Sequence, residues 1–171
     1  VYAFIDNNAA SAGALISIAC DSIFMRGSGS IGAATVVEGG TGERASDKHQ
    51  SYMRGIMRAT AESHGRIVTV HEGDTVTKWR RDPKIAEAMV DERVVIPGFA
   101  DSTQILTLTA GQAMEVGYCE GIAESVHEVI VSHLGYSDYS LETYNPSFYD
   151  KIKGFLTNGI VQAFLIMFII G

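Results

Sequence analysis

The chain opens on an unbroken apolar run, Val1-Tyr2-Ala3-Phe4-Ile5, and the turn-formers Asp6-Asn7-Asn8 stop it. A short apolar run with such a boundary predicts a strand buried on both faces. From Ala12 to Cys20 nearly every position is apolar. That predicts a helix without a solvent face, packed in the middle of a fold, and Ser11 stands where its cap belongs. Ser22 to Met25 reads as a second short strand. Gly27-Ser28-Gly29-Ser30-Ile31-Gly32 reads as a loop that leads into a third apolar strand, Ala33 to Val37. Strand, helix and strand in this order, with strands this apolar, predict an α/β fold around a mostly parallel sheet.

Beyond Val37 the pattern turns polar. Glu38-Gly39-Gly40-Thr41-Gly42-Glu43 reads as a loop. Asp47 to His64 follows as an amphipathic helix with Tyr52, Ile56 and Ala59 on one stripe, and Gly65 fits its C-terminal stop. Two β-branched runs, Ile67 to His71 and Thr75 to Trp79, flank Glu72-Gly73-Asp74 and predict a hairpin. Asp82-Pro83 starts a helix over Lys84 to Val90. Thr109 caps Ala110 to Val116, and Gly117 ends that helix. Ile122 and Ser125 to His133 give a last strand and helix.

The far end is apolar again. Ile160 to Ile170 contains one polar residue, Gln162. A span takes ~20 apolar residues, so this run is either the first part of a transmembrane helix or a buried terminal element. Both ends of the chain lie inside apolar runs and read as cut. The expected organisation is a domain over residues 1–144, a link over 145–158 marked by Asn145-Pro146, and the start of a membrane segment over 159–171.

Composition narrows the function. The 171 residues carry a formal net charge of −7, with a pI near 5.1. A nucleic-acid binder would show a basic stripe instead. The mean hydropathy is +0.12, and much of the excess sits at the two ends. Cys20 and Cys119 have no second cysteine nearby, which excludes zinc-knuckle and redox spacings and leaves them as small core residues. There is no HExxH.

The residues with chemical promise are Ala9-Ala10-Ser11-Ala12-Gly13. A serine between a buried strand and a buried helix is presented at the sheet's C-terminal edge. The helix N-terminus offers unpaired N–H groups to a developing oxyanion, and the small neighbours admit a substrate backbone. The spacing departs from GxSxG, because position 9 is alanine, and a serine here can equally be an ordinary cap. No histidine lies in a similarly constrained place: His49 and His64 sit at the ends of a polar helix, His71 near the hairpin turn, His127 and His133 on the last helix. A lysine can replace histidine as base in its neutral form. Lys48 begins the long helix, where a cation opposes the helix dipole, although a solvated surface lysine fits the position too.

Taken together, Ala9 to Gly13 and Gly29-Ser30-Ile31-Gly32-Ala33 resemble the NfeD family of membrane-bound serine proteases. These are relatives of the SppA signal peptide peptidases, of Clp-protease/crotonase fold. Lys48-His49-Gln50-Ser51-Tyr52-Met53-Arg54, Asp82 to Asp91, Leu106-Thr107 with Thr109-Ala110, Gly121-Ile122-Ala123-Glu124 and Asn145 to Ile152 are similar to family segments in the same order. The resemblance implies a Ser–Lys dyad of Ser11 and Lys48, with the Ala12 N–H as an oxyanion donor. It implies no metal or cofactor. It implies hydrophobic peptide segments of stomatin-like membrane partners as substrate, a homo-oligomer, and a multi-pass membrane protein whose protease domain is extracytoplasmic. Two departures stand out. Ile67 to Arg81 looks inserted, and the family's Gly-rich segment that supplies a second oxyanion N–H is not seen ahead of Val1. A crotonase-type acyl-CoA enzyme and a catalytically idle membrane scaffold are the competing readings.

Overall fold

The computed structural model describes residues 1–71, 74–99, 103–157 and 162. The terminal run read as the start of a membrane span thus lies, apart from Gln162, outside the described residues. Among those described, no helix is long and apolar enough to cross a membrane. The chain divides into two units, Val1–Ser137 and Asp138–Gly171.

The first unit is mixed α/β, as the strand–helix–strand order predicts, but neither the first strand nor the first helix is buried all round: Tyr2, Ala12, Ile16 and Ala19 are exposed. One three-stranded sheet is wholly parallel. Its order is β1 (Tyr2–Ile5), β3 (Ser22–Met25) and β8 (Gly121–Ile122), with Tyr2 opposite Ser22 and Phe24 opposite Gly121. A second sheet pairs β2 (Asn8–Ala10) in parallel with β4 (Ser30–Gly32), and β4 in antiparallel with β7 (Thr107–Thr109). The crossover from β1 and β2 to β3 is α1 (Ala12–Ala19). Ala14 and Ile18 of α1 are fully buried among Ile23, Met25, Ile31 and Met57.

The strand expected at Ala33–Val37 lies three residues earlier in the chain. The ladder runs through Ser30–Gly32, and the apolar stretch after it is irregular save for a bridge between Val37 and Arg44. The reason is local and steric. Gly32 has φ +143°, and a Cβ there would lie 2.8 Å from Thr107 Cα and still closer to the Leu106 carbonyl oxygen. Ala33 follows at φ +45°. The chain turns out of the sheet, and its next two N–H groups bond the Leu106 and Met89 carbonyls instead. Asn8, read as a turn-former, likewise begins β2 because Asn8–Ala10 has β4 to pair with.

The amphipathic helix forms as α2 (Asp47–Glu62), but the face it buries is Gln50, Met57 and Ala61, which leaves Tyr52 and Ala59 of the expected stripe exposed; Gly65 stops it at φ +69°. The hairpin is β5 (Arg66–His71) with β6 (Asp74–Trp79), paired along its whole length and only with itself. Arg66 stacks 4.3 Å over the Trp79 ring at its base, and the Arg80 N–H donates to the Gly65 carbonyl. Next comes α3 (Pro83–Ala88), with Pro83 in its first turn and an Asp82 cap. Arg54 and Arg58 lie one turn apart on α2; Arg58 pairs with Glu87 of α3 and Arg54 with Asp91 just beyond it, so two ion pairs lock α2 to α3 and the residues that follow it. α4 (Ala110–Glu115) carries a full capping box between Thr109 and Gln112. The expected last helix begins as α5 (Val126–Glu128) and widens into a π-helical turn over Val129–His133.

In the second unit the one named helix is α6 (Phe148–Leu156), capped reciprocally by Ser147 and Asp150.

Candidate active site

Ser11 is the single residue between β2 and α1. Its backbone sits at φ +55°, ψ −120°. A β-carbon is strained there, at about 1–3 kcal/mol. Such strain survives only when surrounding bonds over-determine it, and here they do. The Ser11 N–H is shared between the carbonyls of Gly32 at 3.2 Å and Ala33 at 3.1 Å, while its own carbonyl accepts from Ala14. Among the described residues, Ser11 and Ala33 are the two non-glycines at positive φ, and a hydrogen bond joins them. Each turn therefore braces the other.

The geometry replaces the capping reading of Ser11. The residue occupies the cap position, but its hydroxyl makes no capping bond, and the side chain is exposed. The hydroxyl thus stands at the end of β2, over the N-terminus of α1. The N–H groups of Ala12 and Gly13 open that helix, where no intrahelical acceptor exists. Gly13 has only Ala9 Cβ near the place of a β-carbon, at 3.7 Å, so the approach is open.

Lys48 is the second residue of α2 and is exposed. No hydrogen bond joins it to Ser11 among the described residues. What fixes its turn of helix is Gln50, which is 1% exposed. The Gln50 side chain accepts from the Val36 N–H at 3.1 Å and donates to the carbonyls of Val36 at 2.7 Å and Ala45 at 3.2 Å. Val36 lies three residues beyond Ala33. The same irregular stretch therefore holds Ser11 at one end and the first turn of α2 at the other.

Two groups that sequence reasoning passed over support α1 from behind. Arg81 is fully buried, and its guanidinium donates to the carbonyls of Ile18 at 2.9 Å and Cys20 at 2.6 Å, with Glu120 at 3.3 Å as its ion pair. Burial lowers its pKa from the usual arginine value, and Glu120 opposes that shift. His64 was expected in an unconstrained place. It instead lies half-buried, its Nε2 2.7 Å from both the Ile18 carbonyl oxygen and Arg81 Nη1. The fork geometry of arginine suits a helix end whose carbonyls lack partners. The only sequence signal for it is an Arg pair ahead of Asp82-Pro83. Cys119 is buried as expected, and burial raises its thiol pKa. Among the described residues no cluster of three or more metal-ligating side chains is found.

The class is thus an α/β domain with a strained strand–serine–helix elbow. Residues 1–144 match the family described as NfeD1b, N-terminal domain, and the chain belongs to that family. It is 34% identical over 167 residues to membrane protein NfeD1b of Bacillus subtilis (strain 168), covering 97% of this chain and 34% of that protein. The chain thus spans about a third of that relative's length. Solved structures of similar fold include the 1510-N membrane-bound stomatin-specific protease. Its lysine-to-alanine mutant in complex with a substrate peptide gives a TM-score of 0.62 at 22% identity, covering 92% of this chain and 70% of that one. A serine-to-alanine mutant gives 0.54 at 23%, covering 76% and 53%. The 1510-N protease specific for a stomatin homolog from Pyrococcus horikoshii gives 0.51 at 19%, covering 92% and 68%. At these identities the likeness is one of fold.

Proposed function

We propose that this domain is a serine endopeptidase in which Ser11 attacks the peptide carbonyl and Lys48 is the general base. The observation that carries the reading is the backbone of Ser11. Strain held in place by two carbonyls, under an exposed hydroxyl with no capping role, has no structural purpose in a helix cap. It is the arrangement that aims a nucleophile. Neutral Lys48 takes the hydroxyl proton as the oxygen attacks, and the Ala12 N–H stabilises the oxyanion. Lys48 takes this role once bound substrate covers the site and excludes water from its amine.

The proposed substrates are hydrophobic segments of stomatin-like membrane proteins, by analogy with the stomatin-specific 1510-N protease. A membrane-anchored homo-oligomer with its protease domain outside the cytoplasm is the assembly proposed. The proposed organisation is a protease domain over 1–144, a link over 145–158 and the start of a span over 159–171.

The test is hydrolysis of an unstructured hydrophobic peptide by the full-length protein. Ser11→Ala abolishes cleavage, and Lys48→Arg is nearly as inactive as Lys48→Ala, because guanidinium keeps its proton in this range. Full activity in Lys48→Arg would assign the base elsewhere. Full cleavage in Ser11→Ala would assign the nucleophile elsewhere, and no cleavage by the wild type would favour the crotonase or scaffold reading.

A further inference from the structure

Every residue of α6 is exposed, including Phe148 at 79%, Tyr149 at 73%, Phe155 at 64%, Leu156 at 48% and Ile152 at 39%. These five are not scattered. At about 100° per residue, Phe148, Tyr149, Phe155 and Leu156 all fall within about 60° of Ile152 around the helix. On the same wheel, Lys151 and Lys153 lie about 100° from Ile152, one on each side, and Asp150 lies about 160° away. The helix therefore has one apolar face rich in aromatic rings, a lysine on each boundary, and its one carboxylate at the back.

We infer that α6 lies flat in the surface of an anionic lipid bilayer, with Ile152 at the deepest point of its apolar face. Three observations select this occupant. The lysines flank the face symmetrically, which is where their stems cover apolar surface while their ammonium groups reach lipid phosphates. Asp150 is both on the face turned away from lipid and tied up by the Ser147 hydroxyl and N–H, at 2.7 and 3.0 Å. Its pKa is lowered by those two bonds, so it stays ionised and cannot belong to a buried face. Finally, the apolar run Ile160–Ile170 follows within a few residues in sequence, so α6 sits next to whatever that run enters. Nine residues rise only about 14 Å, too little to cross a bilayer. A pair of charges on opposite flanks also suits a helix in the plane and not one along the normal.

The inference is tested on full-length protein in bilayer nanodiscs of phosphatidylglycerol and phosphatidylcholine. Phe148, Asp150, Ile152, Lys153 and Phe155 are replaced singly by cysteine and labelled with bimane, against the background of unsubstituted protein. Lipids spin-labelled near the headgroup should quench the probes at 148, 152 and 155 at least threefold more than those at 150 and 153, and aqueous iodide should show the reverse order. Lys151→Glu with Lys153→Glu should cut lipid quenching at 152 at least twofold in the anionic discs and not in phosphatidylcholine alone. Quenching that deepens steadily from 148 to 155 would make α6 part of a span and overturn the inference. Iodide access at all five positions would overturn it too. So would probes shielded from both quenchers with a 152–152 crosslink between copies, which would make the face a dimer contact. Equal quenching in the two lipids would overturn the anionic assignment. None of these readings depends on peptide cleavage.

Discussion

Ser11 and Ala33 are held in conformations that glycine would accept without strain, and each is bonded to the other's segment. Ser11→Gly should therefore stabilise the fold by about 1 kcal/mol, since the relief of about 1–3 kcal/mol outweighs the chain entropy glycine adds. Ser11→Ala keeps the β-carbon and should leave stability within about 0.5 kcal/mol; urea unfolding of both variants decides the matter. Gly32→Ala should cost about 2–4 kcal/mol, because strain and a collision with the Leu106–Thr107 backbone add. The sequence singles out Ser11 through its small neighbours, but its strain is invisible there. That conformation is set by carbonyls at Gly32 and Ala33, whose own turn depends on Leu106 and Met89. Lys48 was legible only as a charge at a helix start, since Gln50, which anchors that turn, resembles any polar helix residue.

Among the elements, the ones whose signals are local were the legible ones. The Thr109 box, the Asp82 cap with Pro83, the stop at Gly65 and the β5–β6 hairpin carry their reasons within a few residues. β4 and β2 do not, because each exists by virtue of its partner. The π-helical turn after α5 likewise has no pattern that separates it from an ordinary helix. The hairpin invites deletion. Among the described residues it pairs with no other strand; it exposes Ile67 and Val68 and is closed at its base by Arg80 and Gly65. Replacing Ile67–Trp79 with a short Gly-Ser turn should leave the first unit cooperatively folded, with a thermal midpoint within a few degrees of the parent. Circular dichroism melts test it, and loss of the transition would place the hairpin in the core.

At the scale of the whole molecule, one buried carboxylate ties stability to acid. Asp91 is fully buried, paired with Arg54 from α2 and held by Arg93. The Arg93 hydrogen bonds, chiefly, keep its pKa well below the usual carboxylate range, against the opposing pull of burial. A carboxylate depressed in the native state contributes stability above its unfolded pKa of about 3.9, and loses it as pH falls towards the native value. Asp91→Asn should cost about 2–3 kcal/mol at pH 7. It should also flatten the decline in urea midpoint below about pH 4 relative to the parent. An unchanged acid limb would mean that other carboxylates dominate it.

The elbow at Ser11 also bears on how such domains age. AGC and AGT become glycine codons by one base change, and the protein that results should fold more firmly than its parent. A lineage that makes no use of the Ser11 hydroxyl is thus drawn towards glycine at this position by thermodynamics alone, with alanine offering no such gain. Retired copies of the domain should then be recognisable in genomes by that one substitution, set in an otherwise intact Ala-Ala-x-Ala-Gly.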